Sequence, residues 1–137
     1  MIVLFGSAQT EMGGVPVRAP ILVIDDDPDI VDMLREALEG AGHRVVTARD
    51  GLEGLERLRT VKPSLILLDM RMPRMDGWEF ARAARERGNT TPVVVITAAG
   101  DARAWAKEIA AEAYMAKPFT ISQLLGVVDR LGPKRPS

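Results

Sequence analysis

Short runs made wholly of apolar side chains recur along this chain: Ile21–Ile24, Leu65–Leu68 and Val93–Ile96. Each is too short for a helix that buries a single stripe. None alternates with polar residues, so each reads as a strand covered on both faces. Between the runs the apolar residues change to helical spacing. Ile30, Val31, Leu34 and Leu38 follow Asp27-Pro28, a cap and first-turn proline, and the helix stops at Gly40 and Gly42. Leu52, Leu55 and Leu58 mark a second helix that closes before Pro63, and Trp78, Phe80 and Ala81 begin a third. A weaker, alanine-rich helix is expected over 102–111, and Ile121, Leu124, Leu125, Val128 and Leu131 line a last one. Val45-Val46 and Tyr114–Ala116 supply two further strands.

Strand–helix pairs in this order, from Pro20 to Leu131, imply an α/β fold with a doubly wound, five-stranded parallel sheet and helices on both faces. Residues 1–19 lack sustained periodicity and contain Gly6, Gly13, Gly14 and Pro16; they are expected to form a partly disordered extension. Residues 20–131 form the domain, and 132–137 a tail or linker stub.

Bulk composition excludes several functions. A net charge of −1 creates no global field for nucleic acid or anionic membrane. Lys134-Arg135 alone is too little charge for useful DNA affinity, so no direct nucleic-acid binding is expected. The absence of cysteine removes disulfides and thiolate chemistry and fits a cytoplasmic protein. Met1–Phe5 is too short for a secretory core of about 7–15 apolar residues, and a span of about 20 is found nowhere, so a soluble chain is expected.

In an open parallel sheet, ligands sit beyond the carboxyl ends of the strands. The first strand ends in Asp25-Asp26, the third in Asp69, the fourth in Thr97 and the fifth in Lys117. One rim would therefore carry three carboxylates, a hydroxyl and an ammonium. Adjacent carboxylates repel, and burial raises that cost. A hard, all-oxygen cluster of this kind suits Mg²⁺, or Mn²⁺, which offsets the repulsion.

The segments ILVIDDDP, LILLDMRMPRMDGWEF, VVVITA and YMAKPFT, in that order, make residues 20–131 resemble the receiver domain of bacterial two-component response regulators, of the chemotaxis type with a flavodoxin-like fold. The resemblance implies a role for each matching position. Asp69 would be the phosphoacceptor, taking a phosphoryl group from a phosphohistidine. Asp25, Asp26, Asp69 and the backbone carbonyl of Arg71 would hold Mg²⁺, Asp26 directly and Asp25 partly through water. Thr97 and Lys117 would contact the phosphoryl group, Lys117 pairing with Asp69 beforehand, and Tyr114 would be the aromatic switch residue. The Lys117–Pro118 bond is expected to be cis. The donor would be a histidine kinase or histidine phosphotransfer protein, and the output a downstream protein or an output domain absent from this chain. A homodimer is compatible with the sequence, although no apolar patch singles one out.

Other residues are assigned to structure: Asp27 as a helix cap, Asp76-Gly77 as a turn, Trp78 and Trp105 as packing, His43 as surface or edge. The Arg71 side chain is expected near the phosphoryl site. Two readings compete with a phosphorylated switch. One is a receiver-like interaction module that works without phosphate. The other is a phosphatase of the haloacid-dehalogenase type using Asp25 and Asp27, which leaves DMRMPRMDG unexplained. The chain also departs from the family pattern. Lys117 follows Thr97 by only twenty positions, and Ile109–Ala113 replaces the usual glycine-containing turn. The fourth helix is therefore expected to be short, shifted or poorly ordered, with partner choice or dimerisation departing accordingly.

Overall fold

The computed structural model describes residues 18–98 and 100–133. The extension expected at 1–19 lies outside this range apart from Arg18 and Ala19, as does the tail beyond Pro133. Arg18 is tied to the folded unit: its guanidinium donates to the carbonyl of Gly42 at 3.0 Å, and its own carbonyl accepts from Arg44 at 2.8 Å.

Five strands and five helices alternate: β1 Ile21–Ile24, α1 Pro28–Gly40, β2 Val45–Ala48, α2 Gly51–Thr60, β3 Leu65–Leu68, α3 Gly77–Glu86, β4 Val93–Ala98, α4 Ala102–Glu108, β5 Ala113–Lys117 and α5 Ile121–Leu131. The strands form one parallel sheet in the order β2-β1-β3-β4-β5. The two-residue period of each strand divides the core. Leu22, Ile24, Ile66, Leu68 and Val95 pack with Leu55 of α2, Phe80 of α3 and Ala106 of α4. Ile21, Val23, Leu65, Leu67, Val94 and Ile96 pack with Leu34 of α1 and Leu124 of α5 on the other face. Burial on both faces is the reason these strands read as unbroken apolar runs. β1 is the switch point, where the chain steps to β2 on one side and β3 on the other, so a crevice opens beyond its carboxyl end.

Helix ends explain most of the boundaries. Asp27 accepts from the Asp29 amide at 2.9 Å and caps α1 as expected. Asp76 and Glu79 form a capping box on α3, and Thr120 and Gln123 form one on α5. At the other ends, α1 and α3 close through Gly42 (φ 94°) and Gly88 (φ 83°), with amides returning from His43 to Leu38 and from Asn89 to Ala84. The fourth helix is indeed short, ending at Glu108 rather than 111. It closes with the same return bond, Ala111 to Ala106 at 2.8 Å, but the residue forced to positive φ is Ala110 at 55°. Asp101 makes no side-chain cap at its start.

Two sequence expectations need correction. His43 is buried, at 4% exposure, not a surface residue: the turn after α1 folds it inward at the end of the sheet opposite the acidic rim. The short runs at 45–46 and 114–116 extend to four- and five-residue strands, because parallel pairing recruits polar and small neighbours such as Thr47 and Ala113.

Candidate functional site

Parallel pairing sets the site. Ile24 and Leu68 are in register, so the residues after them, Asp25 and Asp69, emerge side by side, and the Asp69 amide donates to the Ile24 carbonyl at 2.9 Å. Asp25 and Asp69 are buried and Asp26 is exposed. One carboxylate oxygen from each of the three lies within 4.8 Å of the others. From the far edge Lys117 reaches in: its Nζ lies 2.9 Å from Asp25 Oδ2 and 3.8 Å from Asp69 Oδ1. The closer partner is therefore Asp25, where the sequence reading paired Lys117 with Asp69. The Lys117–Pro118 bond is cis.

The electrostatics follow from this crowding. Burial, then the charge of Asp25 and more weakly that of Asp26, push the Asp69 carboxyl up to about 7, with Lys117 opposing. Burial disfavours the Lys117 charge, but its hydrogen bond to Asp25 and the charges of Asp25, Asp69 and Asp27 outweigh that and hold its pKa above the usual lysine value. A protonated lysine thus faces a carboxyl group that resists ionisation. Three converging carboxylates with only one ammonium fit a small divalent cation bound through oxygen.

Thr97 is buried on β4, and its register partner is Ala116 beside Lys117. Tyr114 pairs with Val95, on the same sheet face as Thr97, and is 46% exposed. Asp27 spends its carboxylate on the α1 cap, which removes the Asp25–Asp27 pair that a dehalogenase-type phosphatase would use.

Two arrangements were not legible in the sequence. The first fixes the loop after Asp69. Arg74, at φ 66°, pairs with the buried carboxylate of Asp50, which also caps α2 by accepting from Glu53. Burial would raise the Asp50 pKa, but the Glu53 amide and Arg74 reverse that and lower it. The Gly51 amide donates to the Met75 carbonyl at 2.9 Å, joining the same two loops. The second concerns Arg71. Its guanidinium, on an exposed residue, lies over the half-buried Trp105 ring, 4.9 Å from the centroid, a contact worth about 0.5–1 kcal/mol. Trp105 meets Trp78 edge to face at 5.0 Å, and the Trp78 indole donates to Glu108 at 2.7 Å. Asp50-Gly51 carries a helix-start signal, but no residue spacing announces its arginine or the tryptophan pair.

An open, doubly wound sheet with carboxylates and a lysine on its carboxyl rim defines a flavodoxin-like α/β protein. The chain belongs to the response regulator receiver domain family, whose model matches residues 21–129. Among curated relatives it is 38% identical over 113 residues to response regulator MprA of Mycobacterium sp. (strain KMS), covering 81% of this chain and 48% of that protein. It is 39% identical over 102 residues to the alkaline phosphatase synthesis transcriptional regulatory protein PhoP of Bacillus subtilis (strain 168), covering 73% and 42%. The chain thus spans about half the length of the curated relatives it matches. Among solved structures it resembles the chemotaxis protein CheY4 of Vibrio cholerae, with TM-score 0.78, 31% identity and coverage of 84% and 99%. It also resembles response regulator protein TrrA of Thermotoga maritima, solved in complex with Mg²⁺ and beryllium fluoride, with TM-score 0.75, 32% identity and coverage of 82% and 98%. A receiver domain is a phosphoacceptor signalling domain.

Proposed function

We propose that residues 20–131 act as a magnesium-dependent switch phosphorylated on Asp69. The observation that carries this reading is the convergence of Asp25, Asp26 and Asp69 within 4.8 Å beside the Lys117 ammonium. An ionised Asp69 oxygen forms a P–O bond as the P–N bond of a phosphohistidine breaks, and the electron pair returns to the imidazole. A carboxylate attacking an anionic phosphoryl group is opposed by charge, so positioning and neutralisation dominate the chemistry. Lys117 supplies one positive charge. Mg²⁺, when bound, supplies the rest, and Asp25, Asp26, Asp69 and the Arg71 carbonyl are the groups that would hold it.

The product adds roughly −1.5 to −2 charges at the end of β3. Thr97 answers by hydrogen bonding and Lys117 by charge, and the change is carried to Tyr114 on the shared sheet face. The donor is a histidine kinase or histidine phosphotransfer protein, which sets the domain in the cytoplasm, and the recipient is a downstream protein or output domain. The molecule is a switch that takes part in its own phosphorylation and dephosphorylation, not an enzyme turning over a free substrate.

Incubation with Mg²⁺ and acetyl phosphate, followed by intact mass measurement, tests this. A single phosphoryl adduct is expected in the wild type and none in Asp69→Asn. An unmodified wild type would point instead to an interaction module independent of phosphate, and an adduct that survives Asp69→Asn would move the acceptor to another residue.

A further inference from the structure

We propose that Trp105 is a positioning residue for the phosphoacceptor site: its ring parks the Arg71 guanidinium on α4, and a phosphoryl group on Asp69 draws the guanidinium off that ring. The inference rests on the reading of Asp69 as phosphoacceptor and goes beyond it by naming how the site would reach α4.

Arg71 is two residues beyond Asp69, a chain distance of at most about 7 Å, so an extended arginine can return to the carboxylate end. It lies over Trp105 instead. Trp105 does not stand alone: Trp78 from the start of α3 meets its edge and donates to Glu108 on α4. Arg71, Trp105, Trp78 and Glu108 thus form a continuous chain from the loop after Asp69 to the last residue of α4. That helix has no side-chain cap at its start; it is held by Ala102 and Ala106 buried against the sheet, and these contacts add to that hold.

The two destinations open to Arg71 differ in strength. Over the half-buried Trp105 indole, the exposed guanidinium gains a modest face contact. A dianionic phosphoryl group offers a charge-assisted, bidentate partner, for which a planar guanidinium is suited. Phosphorylation would therefore move Arg71 and leave Trp105 without its cation, freeing α4 to shift. By linkage, a contact that must break on loading opposes loading.

The experiment uses Mg²⁺ and beryllium fluoride, with binding followed by fluorine NMR and the two indole N–H signals by proton–nitrogen NMR. Loading of the wild type should shift the Trp105 indole signal. Trp105→Ala should bind the probe about two- to fivefold more tightly, and Trp105→Phe, which keeps an aromatic face, should fall between the two. In an Arg71→Ala background the Trp105→Ala change should have no effect on affinity. A merely structural role for Trp105 predicts weaker binding, not tighter. A loaded wild type with an unmoved Trp105 signal, or a Trp105→Ala effect that persists without Arg71, overturns the latch while leaving the phosphoacceptor reading intact. No probe binding to the wild type overturns both.

Discussion

Asp69 should make magnesium binding release protons. Burial and the neighbouring Asp25 and Asp26 charges move its carboxyl from the ordinary 3.8 to about 7, with Lys117 offsetting part of the rise. A metal-ligating carboxylate must be ionised, so binding has to expel whatever proton the free site holds. At pH 6 that is about 0.9 proton per ion, and at pH 8 about 0.1. Equivalently, apparent affinity should rise roughly tenfold per pH unit below 7 and level off above it. Titration calorimetry with MgCl₂ in two buffers of different ionisation enthalpy counts the protons directly. Asp69→Asn should bind more weakly and lose the pH slope in this range. The same shift has a stability side. The folded pKa lies above the unfolded one, so the metal-free native state binds the extra proton, and its stability falls as pH rises from about 4 to about 7. At pH 8 without metal, Asp69→Asn should melt above the wild type, and saturating magnesium should close that gap. A proton count near zero at pH 6, or an unchanged slope in Asp69→Asn, would refute the argument.

Three further changes follow from the geometry. Ala110→Gly removes a side chain from a left-handed position (φ 55°) and should stabilise by roughly 0.5–1 kcal/mol, the relief of about 1–2 less the extra chain entropy, read by urea unfolding; a loss of stability would contradict the assigned turn. Gly77→Ala places a methyl group 2.8 Å from Met70 Cα and 2.9 Å from the Asp69 carbonyl, backbone atoms that cannot step aside; a net cost of about 1–2 kcal/mol and weaker magnesium binding are expected, and a neutral result would count against this packing. Asp50→Ala removes the α2 cap and the partner of Arg74, costing about 1–2 kcal/mol at neutral pH. Because the Asp50 pKa is lowered, its stabilisation is present above the ordinary aspartate range and is lost as pH falls through the folded value, so wild type and variant should converge in acid and a constant gap would be inconsistent.

The sheet and the acidic rim were legible for one reason: both depend on residues whose neighbours are set by the backbone. An apolar run such as Leu65–Leu68 reports burial on two faces, and the residue after it must then stand at the rim. Gly42 similarly announces the close of α1 through its backbone freedom. Where side chains choose among neighbours, the sequence is silent. Lys117 reaches Asp25 more closely than Asp69, Arg71 turns to Trp105, and Arg74 finds Asp50 twenty-four residues away, none of which leaves a periodic trace. The end of α4 was misplaced because an alanine occupies the turn position that glycine usually marks, while the bond pattern around it is unchanged.

α4 begins without a side-chain lid on its first amides and finishes on an alanine held against its own preference, yet it rests on β4 and β5, the strands that carry Thr97 and Lys117. The helix with the weakest end-capping and the charged centre thus share one border of the sheet. A push from the rim meets only small alanine side chains where α4 enters the core, whereas a comparable displacement of the fully capped α3 would have to move Phe80 itself.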